Sequence, residues 1–287
     1  MVFVLPDGRA MIEKALEQFK ANGYYIARKL LDSKKDVISA REGLHKTFRD
    51  QLRYLGVKLQ DGEIFESMQQ LHKCDIERYK RLVGSLWRKI EIFHLVNHGE
   101  ILGVLRDQFG WKDIFLPGGQ VVHIMAKELE IPGGYFGLVP HQDFPSVQGS
   151  LDGVVVWIPL VDVDRNNYPL EVIPGSHFEG VLPAKEHSNS TWETDTSRYV
   201  EEDYMPVEVN VGDVVFMSVF TIHRSSRRGR AGRLRLAAST RFDNADEETF
   251  IERSYPTAYT RTVQREQYFK EFPTVAHIAK IYPRKLG

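Results

Sequence analysis

Two histidines and one aspartate have the residue types and the spacing of a metal site. His141 and Asp143 are separated by one residue, and His223 follows eighty residues later. Residues two apart in an extended segment point to the same side, so His141 and Asp143 can present an imidazole and a carboxylate to one point. Two imidazoles and one carboxylate on one face of an octahedral ion leave three positions open, as in non-haem Fe(II) oxygenases.

Because a His-x-Asp triplet is common by chance, the residues around it decide its meaning. Arg235 opens a strand-like run twelve positions after His223. A 2-oxoglutarate co-substrate chelates iron through its keto acid and leaves a distal carboxylate, which a fork-shaped arginine binds better than a lysine. Strand alternation gives one face Arg235, Ala237, Ser239 and Arg241. Arg235 is therefore the predicted partner of that carboxylate, and Arg233, in the preceding turn, is the weaker alternative.

The elements that must position these residues change in character near residue 115. Before it, helical spacing dominates, with helices predicted over 7–22, 33–55, 65–70 and 75–109, a break near 97–99, and a short strand at 24–27. After it come short runs rich in β-branched and aromatic residues, at 121–128, 153–160, 170–173, 205–209, 213–216 and 235–242. Such a series is typical of a sandwich or barrel. The runs 153–160 and 170–173, joined by a polar turn, are predicted to form a hairpin.

No flexible linker separates the two halves of the chain, so we predict a single domain. It comprises an α-rich layer over 1–115, a β core over 116–245 and a helical or loop-like cover over 246–287. The predicted fold class is mainly β with flanking helices.

Composition excludes several classes of protein and site. The formal net charge of -1 gives no general electrostatic reason to expect nucleic-acid or membrane binding. Cys74 is the single cysteine, which excludes an intrachain disulfide and a thiolate-rich metal site within one chain. The start of the sequence lacks the features of a signal peptide, and no apolar run approaches the roughly 20 residues that span a bilayer. A cytoplasmic location is therefore expected.

In combination, several motifs resemble the phytanoyl-CoA dioxygenase family of Fe(II)/2-oxoglutarate oxygenases. The motifs are Gly23-Tyr24-Tyr25, His141-Gln142-Asp143, the Trp157 segment, Arg165-Asn166-Asn167, the run from Val172 to His177, Gly212-Asp213-Val-Val-Phe and His223-x-Ser225. The resemblance covers about residues 18 to 245 and is strongest from 141 to 242. It implies a double-stranded β-helix core of the jelly-roll or cupin-like type. Tyr168 departs from the pattern, because the family usually has glycine after the asparagine of the middle motif.

The resemblance also implies a role for individual residues. His141, Asp143 and His223 would bind iron, and Arg235 with Ser225 would bind the distal carboxylate of 2-oxoglutarate. Trp157 and Gln142 would line the site. His123 or Lys127, on the strand before the first motif, would supply a second donor to the co-substrate.

The predicted reaction consumes 2-oxoglutarate and O2 and hydroxylates a small molecule, with succinate and CO2 as co-products. Desaturation, ring closure and epimerisation use the same site and stay open. Halogenation is disfavoured, because Asp143 occupies the position that a halide would need. The alternative is a jelly-roll isomerase, hydrolase or sugar-binding protein that uses the three ligands without 2-oxoglutarate. The basic loop over 224–233 permits an anionic substrate without requiring one.

Overall fold

The structure is a computed structural model that describes residues 8–59, 61–116, 118–132, 136–188 and 191–250. Six of the seven α-helices in the described residues lie before residue 115. The seven are α1 (Gly8–Asn22), α2 (Ile38–Tyr54), α3 (Ile64–Cys74), α4 (Ile76–Val83), α5 (Ile90–Val96), α6 (Gly99–Gly103) and the single-turn α7 (Phe144–Val147). No helix in the described ranges is long and apolar enough to cross a membrane.

Apolar residues at helical spacing explain how these helices pack. Ala40, Leu44, Phe48 and Leu52 form one fully buried stripe along α2, which packs against α3. The predicted long helix over 75–109 is interrupted twice. Gly84 ends α4, where the Ser85 hydroxyl donates to the Leu82 carbonyl, and the second break lies at 97–98, as predicted. His98 begins α6 by accepting a hydrogen bond from the Glu100 amide.

Eleven strands lie within the described residues. They are β1 (Tyr24–Ala27), β2 (Ile114–Phe115), β3 (Val121–Met125), β4 (Val154–Pro159), β5 (Leu170–Val172), β6 (Ala184–Ser188), β7 (Thr191–Thr194), β8 (Met205–Val207), β9 (Val214–Ser218), β10 (His223–Ser225) and β11 (Arg235–Asn244). The β6–β7 hairpin has no counterpart in the sequence prediction, because its residues are largely polar and show no apolar alternation.

The strand pairs within the described residues are all antiparallel, and they form a major sheet, a minor sheet and the separate β6–β7 pair. The major sheet has the order β1-β9-β4-β11-β2, with β3 also paired to β11, and the minor sheet has the order β10-β5-β8. Strand β1 belongs to the major sheet although it lies in the helical half of the chain. The Asp213 carboxylate ties it there by accepting hydrogen bonds from the Lys29 amide and the Arg28 guanidinium.

Alternation along the central strands gives the major sheet two different faces. Val154, Val156, Phe216, Leu236 and Ala238 belong to the large apolar core that includes the helices. The intervening residues face the minor sheet and pack with its valines and leucine; they include Val155, Trp157, Met217 and Ala237. The space between the two sheets is therefore the interior in which a site can form.

The sheet topology confirms the predicted fold class and corrects three details. The predicted hairpin of 153–160 with 170–173 is wrong, because β4 pairs with β9 and β11 whereas β5 pairs with β8 and β10 in the other sheet. The strand predicted over 121–128 ends at Met125, and Lys127 begins a 3-10 turn. The helix predicted over 33–55 begins with a π-helical turn over Ser33–Val37. Residues 251–287 of the predicted cover, and residue 7, lie outside the described residues, so the division into layers stays a prediction.

Candidate metal centre

His141 and His223 face each other across the narrow gap between two chain segments. The His141 amide donates to the His223 carbonyl at 2.9 Å, and the His223 amide donates to the His141 carbonyl at 3.0 Å. This isolated bridge extends β10 and brings the two imidazole centroids to 4.1 Å. Asp143, two residues on, has helical backbone angles and begins α7. The structure brings the His141 and Asp143 side chains together, although Asp143 does not have the extended backbone that the alternation argument assumes.

Backbone carbonyls orient both imidazoles in the same way. His141 Nδ1 lies 2.7 Å from the Val139 carbonyl, and His223 Nδ1 lies 3.0 Å from the Thr221 carbonyl. Because a carbonyl oxygen only accepts, each Nδ1 carries the proton and each Nε2 presents its lone pair. Such outer partners are typical of metal-binding histidines.

The three side chains offer ligand atoms that no protein group uses. One ligand atom from each residue lies within 4.8 Å of the others, with His223 Nε2 3.7 Å from Asp143 Oδ2. Among the described residues, the buried atoms His141 Nε2 and Asp143 Oδ2 have no hydrogen-bonding partner. Buried polar atoms without partners are costly. A divalent ion bound by two imidazole nitrogens and one carboxylate oxygen would satisfy them, so the donor set fits iron.

The charge states of the three residues suit that role. Burial lowers the pKa of His141 and lowers that of His223 to about 3, so both imidazoles are neutral near neutral pH and able to bind a metal ion. Burial alone would raise the pKa of Asp143, but the positive charge of Arg241 and its hydrogen bond to the carboxylate outweigh it. The Asp143 pKa therefore lies well below its usual range, and the group is a carboxylate.

A cavity between the two sheets is lined by His141, His223 and further polar residues, which are buried except for the half-buried Arg224. The polar lining consists of His123, Arg224, Ser225, Arg235, Ser239 and Arg241, and the apolar lining of Leu138, Val155, Trp157, Leu170 and Met217. Polar groups that converge between apolar walls in a small cavity are typical of a small-molecule site. The structure thus brings His123, Trp157, Ser225 and Arg235 to the cavity that holds the histidines.

Arg235, and not Arg233, faces this cavity. Arg235 is 1% exposed and donates through Nη1 to the Tyr168 carbonyl at 2.9 Å and through Nη2 to the Ser225 hydroxyl at 2.8 Å. The Arg233 side chain is 45% exposed and pairs with Asp164 at 2.6 Å. Strand alternation begins at Arg235, whereas Arg233 still lies in the turn before β11, which explains the difference.

Two of the predicted site residues, Lys127 and Gln142, do not line the cavity. Lys127 is exposed, because β3 ends before it, and its amide donates to the Tyr168 hydroxyl at 3.1 Å. Gln142 is fully buried but points away from the cavity. Its side-chain amide donates to the carbonyls of Gly180 and Phe220, both at 2.7 Å, and its side-chain carbonyl accepts from the Leu182 amide at 2.9 Å. It ties the ligand segment to its neighbours instead of contacting a ligand.

His123 is the predicted second donor that does reach the cavity. It lies on β3 opposite Ala237 and its Nε2 is 2.9 Å from the Ser239 hydroxyl. Burial, followed by the charges of Arg235 and Arg241, holds its pKa well below the ordinary value. His123 is therefore neutral and can hydrogen-bond to an anion without adding charge.

The family model of phytanoyl-CoA dioxygenase (PhyH) matches residues 5–234, which is most of the chain. The chain belongs to the phytanoyl-CoA dioxygenase family. This confirms the resemblance found in the motifs. The match ends one residue before Arg235, so the assignment of that arginine depends on the structure.

Individual relatives of the family match over a shorter segment. Over 117 residues the chain is 35% identical to the peroxisomal phytanoyl-CoA dioxygenase of Mus musculus and 34% identical to that of Rattus norvegicus. The aligned segment covers 37% of this chain and 33% of each relative, so the similarity spans about a third of their length.

Solved structures resemble this one over more of the chain. One is the epimerase SnoN in complex with Fe3+, alpha ketoglutarate and nogalamycin RO, with a TM-score of 0.55, 17% identity and 83% of this chain and 85% of that chain covered. Another is the alpha ketoglutarate dependent carbocyclase SnoK from nogalamycin biosynthesis, with a TM-score of 0.52, 16% identity and 88% and 94% covered. At these identities the likeness concerns the fold, and it confirms the predicted double-stranded β-helix.

Tyr168 shows how this chain accommodates its departure from the phytanoyl-CoA dioxygenase pattern. Its backbone has φ of 57°, the left-handed conformation that a glycine adopts easily and a bulky residue rarely does. The Tyr168 ring packs against Gly229, where a Cβ atom would lie only 2.2 Å from it. The Tyr168 carbonyl accepts from Arg235, so the strained residue helps to hold the cavity arginine.

Proposed function

We propose that this protein is a non-haem Fe(II)- and 2-oxoglutarate-dependent dioxygenase acting on a small molecule, with succinate and CO2 as co-products. One observation carries the proposal. A three-residue ligand set with two unsatisfied buried atoms shares a cavity with the buried Arg235–Ser225 pair. The first feature suits the metal, and the second suits the distal carboxylate of a bidentate co-substrate. Membership of the phytanoyl-CoA dioxygenase family supports the same reading.

Each residue of the cavity has a role in that proposal. His141, Asp143 and His223 hold the iron, and Arg235 with Ser225 binds the distal carboxylate through charge-assisted hydrogen bonds. Iron and 2-oxoglutarate, when bound, supply the oxidative chemistry together with O2. Trp157, Val155, Leu170 and Met217 form apolar walls that exclude water and strengthen the electrostatic interactions inside.

The cavity favours this function over a metal-dependent isomerase or hydrolase, or a sugar-binding protein, with the same ligands. Such proteins would not need a fully buried arginine beside a serine hydroxyl. Burying a guanidinium costs free energy unless it is matched by partners. Arg235 is aimed by Tyr168 and Ser225 at the cavity that contains the metal ligands. A carboxylate-bearing co-substrate gives that arrangement a purpose.

The substrate and the type of oxidation are less constrained. Hydroxylation is the expected outcome, and the epimerase and carbocyclase with the same fold support leaving epimerisation and ring closure open. The basic loop is partly neutralised, because Arg224 pairs with Glu171 and Glu201, and Arg228 also pairs with Glu201. An anionic substrate is therefore permitted and not favoured. The cytoplasmic location stays a prediction.

Turnover of the co-substrate tests the proposal without knowledge of the substrate. Purified protein is incubated with Fe(II), ascorbate, 2-oxoglutarate and O2, and succinate is measured by mass spectrometry. We expect slow, iron-dependent succinate formation, which increases when a metabolite panel contains the true substrate. His223→Ala serves as the control and is expected to form none. Succinate formation that is the same in the His223→Ala variant would contradict the assignment of the site.

A further inference from the structure

A second buried arginine faces the cavity, and neither the motifs nor the family match gives it a role. Arg241 lies on the same face of β11 as Arg235 and Ser239, six positions beyond Arg235, and only 6% of it is exposed. Strand registers place it beside Val155, which in turn pairs with Met217. Arg241 thus lies at the end of the cavity opposite Arg235. The Asp143 carboxylate lies at the same end as Arg241.

Arg241 forms a hydrogen bond with only one of the two oxygens of the Asp143 carboxylate. Its Nη2 lies 2.8 Å from Asp143 Oδ1. The other oxygen, Oδ2, has no hydrogen-bonding partner among the described residues and lies 3.7 Å from His223 Nε2. One oxygen is therefore held by the guanidinium, and the second is turned toward the histidines.

The guanidinium is itself fixed at its other end. Its Nη1 lies 3.2 Å from the Ser239 hydroxyl, which is also 2.9 Å from His123 Nε2. Ser239 belongs to the same strand as Arg241, so the planar fork is held against a rigid element. A fork fixed at two points orients a carboxylate far better than a flexible ammonium group does.

We infer that Arg241 is a positioning residue that makes Asp143 a one-oxygen ligand of the metal. By holding Oδ1, it leaves Oδ2 as the donor and prevents the carboxylate from rotating to offer both oxygens. A two-oxygen aspartate would occupy a coordination position that the co-substrate or O2 requires. The inference rests on the metal site of the proposed function and assigns Arg241 no contact with the substrate.

Cobalt binding tests this role apart from catalysis, because Co(II) reports ligand number through its visible absorption. The purified wild type and the Arg241→Met, Arg241→Lys, Ser239→Ala and Arg235→Met variants are titrated with Co(II) alone. 2-Oxoglutarate affinity is then measured on the cobalt-loaded proteins. Far-ultraviolet circular dichroism establishes that each variant is folded. Arg235→Met is the matched control, since it removes the other buried arginine of the same strand face.

We expect Arg241→Met to weaken Co(II) binding about 10- to 100-fold, as the loss of an outer partner of a ligand typically does, and to change the cobalt spectrum. Arg241→Lys and Ser239→Ala should lie between Arg241→Met and wild type. Arg235→Met should keep wild-type cobalt affinity and lose 2-oxoglutarate affinity. Should Arg241→Met not fold, Arg241→Lys carries the test, with weaker binding and an altered spectrum expected.

Unchanged cobalt affinity and spectrum in the folded Arg241→Met variant would overturn the inference. So would loss of 2-oxoglutarate affinity with cobalt binding intact, because Arg241 would then be a co-substrate residue. Wild-type protein that binds Co(II) but no 2-oxoglutarate would overturn the proposed function and leave the comparison of Arg241 variants valid. Wild-type protein that binds no Co(II) would overturn both.

Discussion

The two faces of the major sheet are both buried but differ in the chemistry of their side chains. The face toward the helices is mostly apolar, with side chains such as Val156, Phe216 and Leu236, which join the core built by α2 and α3. The face toward the minor sheet alternates with it, residue by residue, and carries Arg235, Ser239 and Arg241 besides its apolar members. Both faces are buried.

This difference separates the residues that stabilise the fold from those that serve the site. Burying apolar surface stabilises the folded state by roughly 25 cal/mol per Å². Burying guanidinium and imidazole groups opposes folding unless each is well paired. The cavity face therefore lowers the stability that the helix face provides, as expected of a site in which charges are retained for binding.

The largest expected difference is between Phe216 and Met217, two adjacent residues of β9 that point to opposite faces of the major sheet. Phe216 is fully buried against Phe109 and Tyr25, and Met217 lines the cavity. Phe216→Ala should lower the free energy of unfolding by about 3–5 kcal/mol, and Met217→Ala by about 2 kcal/mol, because the cavity already borders Met217. Chemical denaturation measures both.

Co-substrate affinity should then show the reverse order. Met217→Ala is expected to change the affinity of the metal-loaded protein for 2-oxoglutarate or its substrates, and Phe216→Ala, where folded, is not. Equal stability losses with equal effects on binding would mean that the two faces do not divide the work in this way.

Acid should destabilise the protein through the cavity face. Burial lowers the pKa values of His123, His141 and His223, the last to about 3. The unfolded chain then binds more protons than the folded chain below about pH 6.5, the usual pKa of histidine, so stability falls as the pH falls from there. Asp143, with its lowered pKa, adds a loss below about pH 4.

Melting temperatures of the metal-free protein between pH 7.5 and pH 5 measure this dependence. His123→Asn should flatten the curve, because it removes one buried base and leaves the three proposed metal ligands in place. A curve that is level over this range, or unchanged in the variant, would show that the imidazoles of the cavity do not titrate on unfolding.

The smallest predicted effect concerns Tyr168, whose carbonyl accepts a hydrogen bond from Arg235 and whose hydroxyl accepts one from the Lys127 amide. Tyr168→Phe removes the hydroxyl that accepts from the Lys127 amide but keeps the ring and the carbonyl bound to Arg235. We expect a loss of about 1 kcal/mol in the free energy of unfolding and unchanged 2-oxoglutarate affinity. A large loss of that affinity would assign the hydroxyl, and not the carbonyl, the role of supporting Arg235.

The sequence predicts much of the cavity face because alternation is a local property. It places Arg235, Ser239 and Arg241 on one side of β11, and the structure finds all three in the cavity. The partner of Arg241 was missed, because Asp143 lies 98 residues away and no local pattern links the two. Gln142 is the opposite case, because the local pattern indicates the direction of its side chain better than the family resemblance does. Alternation between His141 and Asp143 already turns it away from the ligands, and the family resemblance suggested otherwise.

The sequence also does not predict which of the two sheets each strand joins. The runs that form β4 and β5 read as a hairpin because both are short, apolar and joined by a polar turn. In the structure β4 pairs with β9 and β11, and β5 pairs with β8 and β10. These partners lie far along the chain, so the pairing depends on long-range contacts. Lys127 was misplaced for a local reason, since the strand ends at Met125 and a 3-10 turn follows.

Anaerobic binding of Fe(II) and 2-oxoglutarate, observed by visible absorption, tests whether the cavity is an iron site with a bidentate co-substrate. We predict a weak charge-transfer band when both are added to the wild type. We predict that Arg235→Met shows the band only at higher 2-oxoglutarate concentrations, with metal binding unchanged, because the arginine holds the distal carboxylate. A wild-type protein that binds Fe(II) yet shows neither the band nor any affinity for 2-oxoglutarate would contradict the account.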